Sequence, residues 1–347
     1  MASNLEKVEE GKEAEQKVDV ALAKTDSTES AISEKGSTAM RGSFVRAGEV
    51  IDEGDTVIVF VSFGVYYPVV VKRGDSCCMK YGQLKHDFLI GKKWGSRVSA
   101  TAGYVYALRP SSELWTRSLP KRTQILYTAD ISLIVCLLDA RPGSVLCESG
   151  TGSGSLSHAL ALTILPDGHL YTHDIDEFRT RKLEHELKEH GLSSVCTAVV
   201  QNVCTDGFFV QNACDGVFLD VPSPWEAVAA AALALSRPRG GRLVSFSPCI
   251  EQVQRTVNVM RKHAFVQIET IEIVPRALMV VEERKQSLAD FDAVGDGEEC
   301  APARGRKRRA APDGDRETSS DYTTIRAPAS QPTHTGYLTA ATMLPRI

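Results

Sequence analysis

The 347-residue chain has no long hydrophobic run: its most apolar stretch, Val57 to Val71, is broken by Ser62, Gly64 and Pro68. That is short of the ~20 apolar residues a membrane-spanning helix requires, so no membrane association is expected. Its nine cysteines include no Cys-x-x-Cys pair, and no signal peptide is expected ahead of them. They read as reduced thiols, mostly filling the core, of a cytosolic or nuclear protein. No histidine pair has ligand spacing, so no metal is expected. Surplus positive charge is also missing. The net charge of −4 argues against a free-standing nucleic-acid binder that works by bulk charge. What is present, 43% hydrophobic and 24% charged residues, suits a soluble globular protein and excludes collagen or a wholly disordered chain.

The charge is uneven. Residues 1–40 hold nine acids against five lysines and no aromatic residue, whereas residues 41–347 balance at 35 against 35. The spacing predicts a disordered acidic tail over 1–40. Residues 41–115 have another texture. The β-branched and aromatic runs Thr56–Phe60, Tyr66–Val71, Arg97–Thr101 and Tyr104–Leu108 are separated by glycine-containing turns. They predict a small β-rich, barrel-like domain.

From about 116 the pattern alternates short apolar strands with helical stretches, which predicts an α/β domain on a mostly parallel, Rossmann-like sheet, spanning 116–283 plus 331–347. Strands are expected at Ser144–Glu148, Gly168–Asp174, Val195–Val200, Gly216–Asp220 and Arg242–Phe246. Further strands are expected near Val266–Val274 and Gly336–Thr342, and helices at about 125–140, 155–164, 177–190, 225–236 and 250–263. Between them, 284–330 loses periodicity and reads as a disordered charged insertion with nine acids and nine bases.

The run Cys147-Glu148-Ser149-Gly150-Thr151-Gly152-Ser153-Gly154-Ser155 carries the most chemistry. A strand ends in an acid, glycines at 150, 152 and 154 follow, and a helix begins, so backbone can approach a nucleotide-like cofactor. The competing reading is a tight strand-to-helix turn. A P-loop is excluded, because no Gly-Lys-Ser/Thr follows. Asp174 ends the second strand, where an acid accepts hydrogen bonds from ribose hydroxyls; the alternative is a solvated loop acid. Gln201-Asn202-Val203 ends the third, where Asn202 either meets an adenine amino group or simply makes a turn.

The fourth strand ends in Asp220-Val221-Pro222-Ser223-Pro224-Trp225. Two prolines stiffen the chain and leave few N–H groups to pair with Asp220, directing the acid into the cleft, with Trp225 available to stack on a base. The plainer alternative is that the prolines end the strand. The element favours methyl transfer from S-adenosylmethionine to an amine or ring nitrogen over hydride transfer. Alkylating adenine N1 leaves a cation spread over the amidine formed with N6, and a carboxylate accepting from N6–H would favour that charge selectively.

On these residues the chain resembles the catalytic subunits of tRNA (adenine-58-N1)-methyltransferases. The likeness extends from about Gly54 to Val274 and from Thr333 to Thr342. It includes Glu113-Leu114-Trp115-Thr116, Arg122-Thr123-Gln124-Ile125-Leu126-Tyr127, Pro222 to Val228, Ser245 to Thr256, and His334-Thr335-Gly336-Tyr337-Leu338-Thr339. The resemblance implies a β-rich domain on a Rossmann-like methyltransferase domain, S-adenosylmethionine as cofactor, and a tRNA methylated in the T-loop. It also implies a heterotetramer with a homologous non-catalytic subunit.

Carried over, Gln124, Leu126, Glu148, Gly150, Gly152 and the Ser153-Gly154-Ser155 loop would line the cofactor site. Asp174 would hold the ribose with Arg179 nearby, Asn202 and Val203 would meet the cofactor's adenine, and Asp220 would be catalytic. Tyr127, Pro222, Ser223, Trp225, His334 and Thr335 are the expected tRNA-facing residues. Two positions depart from the family's pattern. Asp174 stands where glutamate is usual, which shortens its reach. Asn202 stands where aspartate is usual, which removes a charge. A neutral catalytic chain can bind tRNA if its partner supplies basic surface. The run Arg304-Gly305-Arg306-Lys307-Arg308-Arg309 reads as a nuclear localisation signal, an RNA-contacting arm or a solvated charge run, and a nuclear location is expected. The rival readings are a non-catalytic tRNA-binding subunit of the same assembly and a methyltransferase for another RNA adenosine.

Overall fold

A computed structural model describes residues 42–45, 48–120, 123–274, 278–283, 322–328 and 336–346. All lie in the unit Arg41–Ile347. The expected acidic tail, most of the charged insertion and the 304–309 cluster fall outside the described residues.

Alternating β-branched residues build the first sheet. Strands β1 (Thr56–Ser62) and β2 (Val65–Val70) precede the hairpin of β3 (Ser76–Met79) and β4 (Gly82–Lys85), then β5 (Arg97–Ala100) and β6 (Gly103–Leu108). The four-stranded sheet has the order β2-β1-β6-β5, and β3 pairs with β4 alone. The period of two puts Val57, Val59, Val61, Val69, Val98 and Val105 on one face, in a core shared with Ile51, Leu84 and Leu89. On the opposite face Ile58 packs with Trp115, Leu119 and Ile125. Trp115 comes from a short helix that the spacing did not predict, α1 (Ser112–Ser118), capped by Ser111, whose Oγ accepts from the Leu114 N–H at 3.2 Å.

Helix α2 (Thr128–Leu137) leads into β7 (Val145–Ser149), α3 (Ser155–Ile164), β8 (His169–Asp174), α4 (Glu177–Glu189) and β9 (Cys196–Val200). Then follow β10 (Gly216–Leu219), α5 (Pro224–Ala234), β11 (Gly241–Ser247), α6 (Ile250–Lys262) and β12 (Phe265–Glu272). A hairpin of β13 (Met279–Glu283) and β14 (Tyr322–Arg326) precedes the last strand, β15 (Tyr337–Met343). The seven-stranded sheet runs β12-β15-β11-β10-β7-β8-β9. Strands β11, β10, β7, β8 and β9 are parallel, while β15 runs antiparallel between β11 and β12. This is the mostly parallel, Rossmann-like α/β architecture that the alternating pattern predicts. Apolar residues of α2, α3 and α4 cover one face, and α5 and α6 the other.

Strand order reverses between β7 and β10, so a crevice opens beyond their carboxyl ends, where open α/β sheets bind ligands. One expectation is corrected. Residues 322–326, placed in a disordered insertion, form β14, because Tyr322-Thr323-Thr324-Ile325-Arg326 is rich in β-formers and pairs residue for residue with Met279–Glu283.

Candidate active site

The crevice is a cleft of about 450 Å³. It brings together Gln124, Leu126, Glu148, Gly150, Gly152, Ser153, Ser155, Asp174, Arg179, Asn202, Val203, Asp220, Pro222 and Ser223.

The glycine loop is fixed by close backbone approach. Gly150 sits at φ 96°, and a Cβ there would stand 2.2 Å from the Asp220 carbonyl oxygen. Every other residue brings a β-carbon into that spot, which leaves glycine. The Gly150 N–H donates to the His173 carbonyl at 2.9 Å, and the Asp220 N–H to the Ser149 carbonyl at 2.8 Å. The loop after β7 is thus locked to the ends of both neighbouring strands. Gly154 is not on the cleft wall. It caps α3 at φ 78°, with space for a Cβ closed by Leu183 at 2.6 Å. Ser153 Oγ accepts from the Thr123 N–H at 3.3 Å, and the buried Ser155 and Thr116 hydroxyls meet at 2.7 Å.

Asp174 anchors the opposite wall. Its Oδ1 accepts from Arg179 Nη2 at 2.7 Å and the Asp176 N–H at 2.9 Å. Its Oδ2 accepts from Arg179 Nε at 3.2 Å and the Gly152 N–H at 3.1 Å. A carboxylate offers about four acceptor sites, so this one is fully engaged in holding Arg179 and the loop. A ribose hydroxyl bonding to it would share or displace one of these donors. Asn202 both lines the cleft and makes the turn: its Oδ1 accepts from the Cys204 N–H at 3.0 Å.

Two further carboxyls sit in low dielectric. Glu148, 1% exposed, is pushed up to about 8 by burial, with Asp220 and Asp174 adding to the effect and hydrogen bonds from Ser157 and Thr172 opposing it. Ser157 Oγ donates to its Oε2 at 2.6 Å. Burial raises Asp220 to about 6. Among the described residues no group donates a hydrogen bond to the Asp220 carboxylate, as the proline-rich continuation predicts. That continuation is braced by α6, whose Gln252 Nε2 donates to the Pro222 carbonyl at 3.0 Å.

Of the six tRNA-facing expectations, Pro222 and Ser223 line the cleft, Trp225 and Tyr127 do not, and two lie outside the described residues. Trp225, in the first turn of α5, carries the Arg255 guanidinium 5.1 Å above its ring. Tyr127, 47% exposed, occupies the N-cap of α2. His334 and Thr335 lie outside the described residues. Conversely, the spacing missed His173, Thr123, Ile175 and Glu226, all on the cleft. His173 is a neutral strut: its Nε2 accepts from the Phe209 N–H at 3.1 Å, which leaves Nδ1–H to donate to the Glu148 carbonyl at 3.0 Å. Burial lowers its pKa. Its place next to Asp174 on β8 was the available signal. Ile175, 70% exposed, leaves an apolar side chain at the rim.

The donor set fits a cationic nucleoside cofactor. It combines closely approached glycine backbone, apolar Leu126 and Val203, and three acids around one cleft of suitable size. No cluster of metal-ligating side chains occurs among the described residues, and none of their helices is long and apolar enough to cross a membrane.

Known proteins give a consistent picture. The family model described as the tRNA methyltransferase complex GCD14 subunit matches residues 103–343. The chain is 38% identical over 253 residues to the tRNA (adenine(58)-N(1))-methyltransferase catalytic subunit TRM61 of Candida albicans, covering 72% of this chain and 75% of that protein. It is 42% identical over 229 residues to the protein of that name from Cryptococcus neoformans (strain JEC21), covering 65% of this chain but only 53% of the relative. The crystal structure of the tRNA (m1A58) methyltransferase TrmI from Aquifex aeolicus superposes with a TM-score of 0.59 at 20% identity, over 86% of this chain and all of that one, and shares the fold.

Proposed function

Because the chain belongs to the family of tRNA (adenine(58)-N(1))-methyltransferase catalytic subunits, we propose that it transfers a methyl group from S-adenosylmethionine to N1 of adenosine 58 in the tRNA T-loop. The observation that carries the reading is Asp220 at the switch point. It is an acid to whose carboxylate no described residue donates, locked by backbone to the glycine loop and desolvated.

When bound, S-adenosylmethionine supplies an electrophilic methyl group on a sulfonium. The chain's own residues do the rest. Gly150 and Gly152 let backbone approach the cofactor, Arg179 and Asp174 hold the loop edge, and Leu126, Val203 and Asn202 flank the base. Asp220, ionised, accepts a hydrogen bond from the N6–H of the target adenine and favours the cation that develops as N1 is alkylated. Holding N1 in line with the methyl group supplies much of the remaining acceleration.

The non-catalytic reading is disfavoured by the intact glycine loop and by an Asp220 carboxylate to which no described residue donates. The reading extends to a heterotetramer with a homologous non-catalytic subunit, supported by the family description as part of a complex and by the balanced charge of residues 41–347. A nuclear location is proposed on the strength of the basic run 304–309.

The test uses the full-length chain purified with its partner, labelled S-adenosylmethionine and a tRNA transcript. Label should enter the wild-type transcript with a primer-extension stop at A58, and an A58→G transcript should stay unlabelled. Equal labelling of both transcripts would refute the site.

A further inference from the structure

We propose that the outer face of the sheet β2-β1-β6-β5 is a stacking platform for unpaired bases of the RNA substrate, a proposal that rests on tRNA being that substrate. An antiparallel sheet with one face packed on a core is expected to be polar on the other. Here the other face is covered at one end, where Ile58 and Tyr66 pack with Trp115 and Leu119, and is aromatic beyond it. Phe60 stands directly opposite Tyr66 on β2 and Tyr106 on β6, and Tyr106 in turn opposite Arg97 on β5. The ring centroids of Phe60 lie 5.5 Å from Tyr66 and 6.2 Å from Tyr106, and those of Tyr104 and Tyr106 are 5.8 Å apart. The row ends in Arg97, whose guanidinium lies 4.8 Å from the Tyr104 ring centroid. Tyr104 and Tyr106 are 49% and 38% exposed.

Charge decides the occupant. The four strands contain no Asp or Glu, and their one charged residue is Arg97. A face of rings with a single cation suits a polyanion whose bases present π-faces: rings take bases, and the guanidinium takes a phosphate. Neighbouring turns repeat the pairing of cation and ring, with Lys80 over Tyr81 and Arg109 over Trp94. The row is also continuous with the cleft. Ile58, on the same face two residues from Phe60, packs against Ile125, which lines the cleft. RNA leaving the cleft along this wall meets the rings next.

The experiment measures tRNA affinity by filter binding, separately from methylation, with full-length chain purified with its partner. The variants are Tyr104→Ala with Tyr106→Ala, Tyr104→Phe with Tyr106→Phe, and Arg97→Gln. The alanine pair should weaken tRNA binding by roughly tenfold or more, while the phenylalanine pair binds as wild type, since stacking uses the ring. Arg97→Gln should lower the slope of log affinity against log salt by about one. Affinity for S-adenosylmethionine and the native mass of the complex should not change. Wild-type tRNA affinity in the alanine pair would overturn the proposal. So would a complex that dissociates in that variant, because the row would then be a protein interface. Wild-type complex that binds tRNA without methylating it would count against the proposed activity alone, and the binding comparison would still decide the platform.

Discussion

Gly150 and Asp220 touch across the switch point of the sheet: the space a β-carbon of Gly150 would need is held, at 2.2 Å, by the Asp220 carbonyl oxygen. The contact joins the loop that would carry the cofactor to the strand end that carries the acid, so one residue's size governs both. Backbone cannot yield as a flexible side chain would. Gly150→Ala should therefore displace the loop or the Asp220 backbone, with strain at φ 96° adding about 1–3 kcal/mol. Calorimetry should show S-adenosylmethionine affinity reduced at least roughly tenfold, with far-ultraviolet dichroism unchanged.

Asp220, raised to about 6 by burial, sets the acid limb of the reaction. Only the ionised carboxylate carries the negative charge that favours the cation developing as N1 is alkylated. Single-turnover methyl transfer should rise about tenfold per pH unit below 6 and level off above it. Asp220→Asn should lower the plateau and abolish this limb.

Glu148, pushed up to about 8, binds a proton in the folded state that the unfolded chain releases at ordinary carboxyl pH. Its stabilising contribution is full below about 4.5 and is lost as pH rises through 8, at ~1.4 kcal/mol per pH unit. Glu148→Gln keeps an acceptor for Ser157 and removes the titration. Denaturant unfolding at pH 8 should show the variant more stable than wild type by on the order of a few kcal/mol, and the difference should shrink towards pH 5.

The opposite slope comes from His190. Burial, with His158 as a further cause, lowers it to about 2. His158 donates from Nδ1 to the Gly154 carbonyl at 2.6 Å, so its Nε2 accepts from His190 Nδ1 at 2.8 Å. A depressed histidine gives stability that is present above about 6.5 and lost as pH falls, because the unfolded chain takes up the proton first. His190→Asn keeps a donor to His158. Thermal unfolding between pH 6 and 5 should fall more steeply in wild type than in the variant.

The parallel sheet and its acids were legible in the sequence because each strand ends in a local signature: Glu148 before glycines, Asp174 on β8, Asp220 before two prolines. Contacts between distant segments were not. Trp225 lies under Arg255, thirty residues on, and no local spacing reveals that partner. Gly154 has the same composition as its neighbours, yet its space is closed by Leu183 from α4. Strand β14 lies in a polar stretch, and its pairing with β13, some forty residues away, has no local signal. The saturation of Asp174 was likewise hidden, since two of its four bonds come from Arg179, one turn into the next helix, and one from Gly152 on a different loop.

The central claim is that Asp220 acts on the transfer step within an intact cofactor site. The direct measurement compares wild type and Asp220→Ala, each full length and purified with its partner, for S-adenosylmethionine affinity by calorimetry and for single-turnover methylation of tRNA at A58. The expected result is affinity within a few-fold of wild type and transfer slowed by at least roughly a hundredfold. Near-normal transfer at matched cofactor occupancy would contradict it.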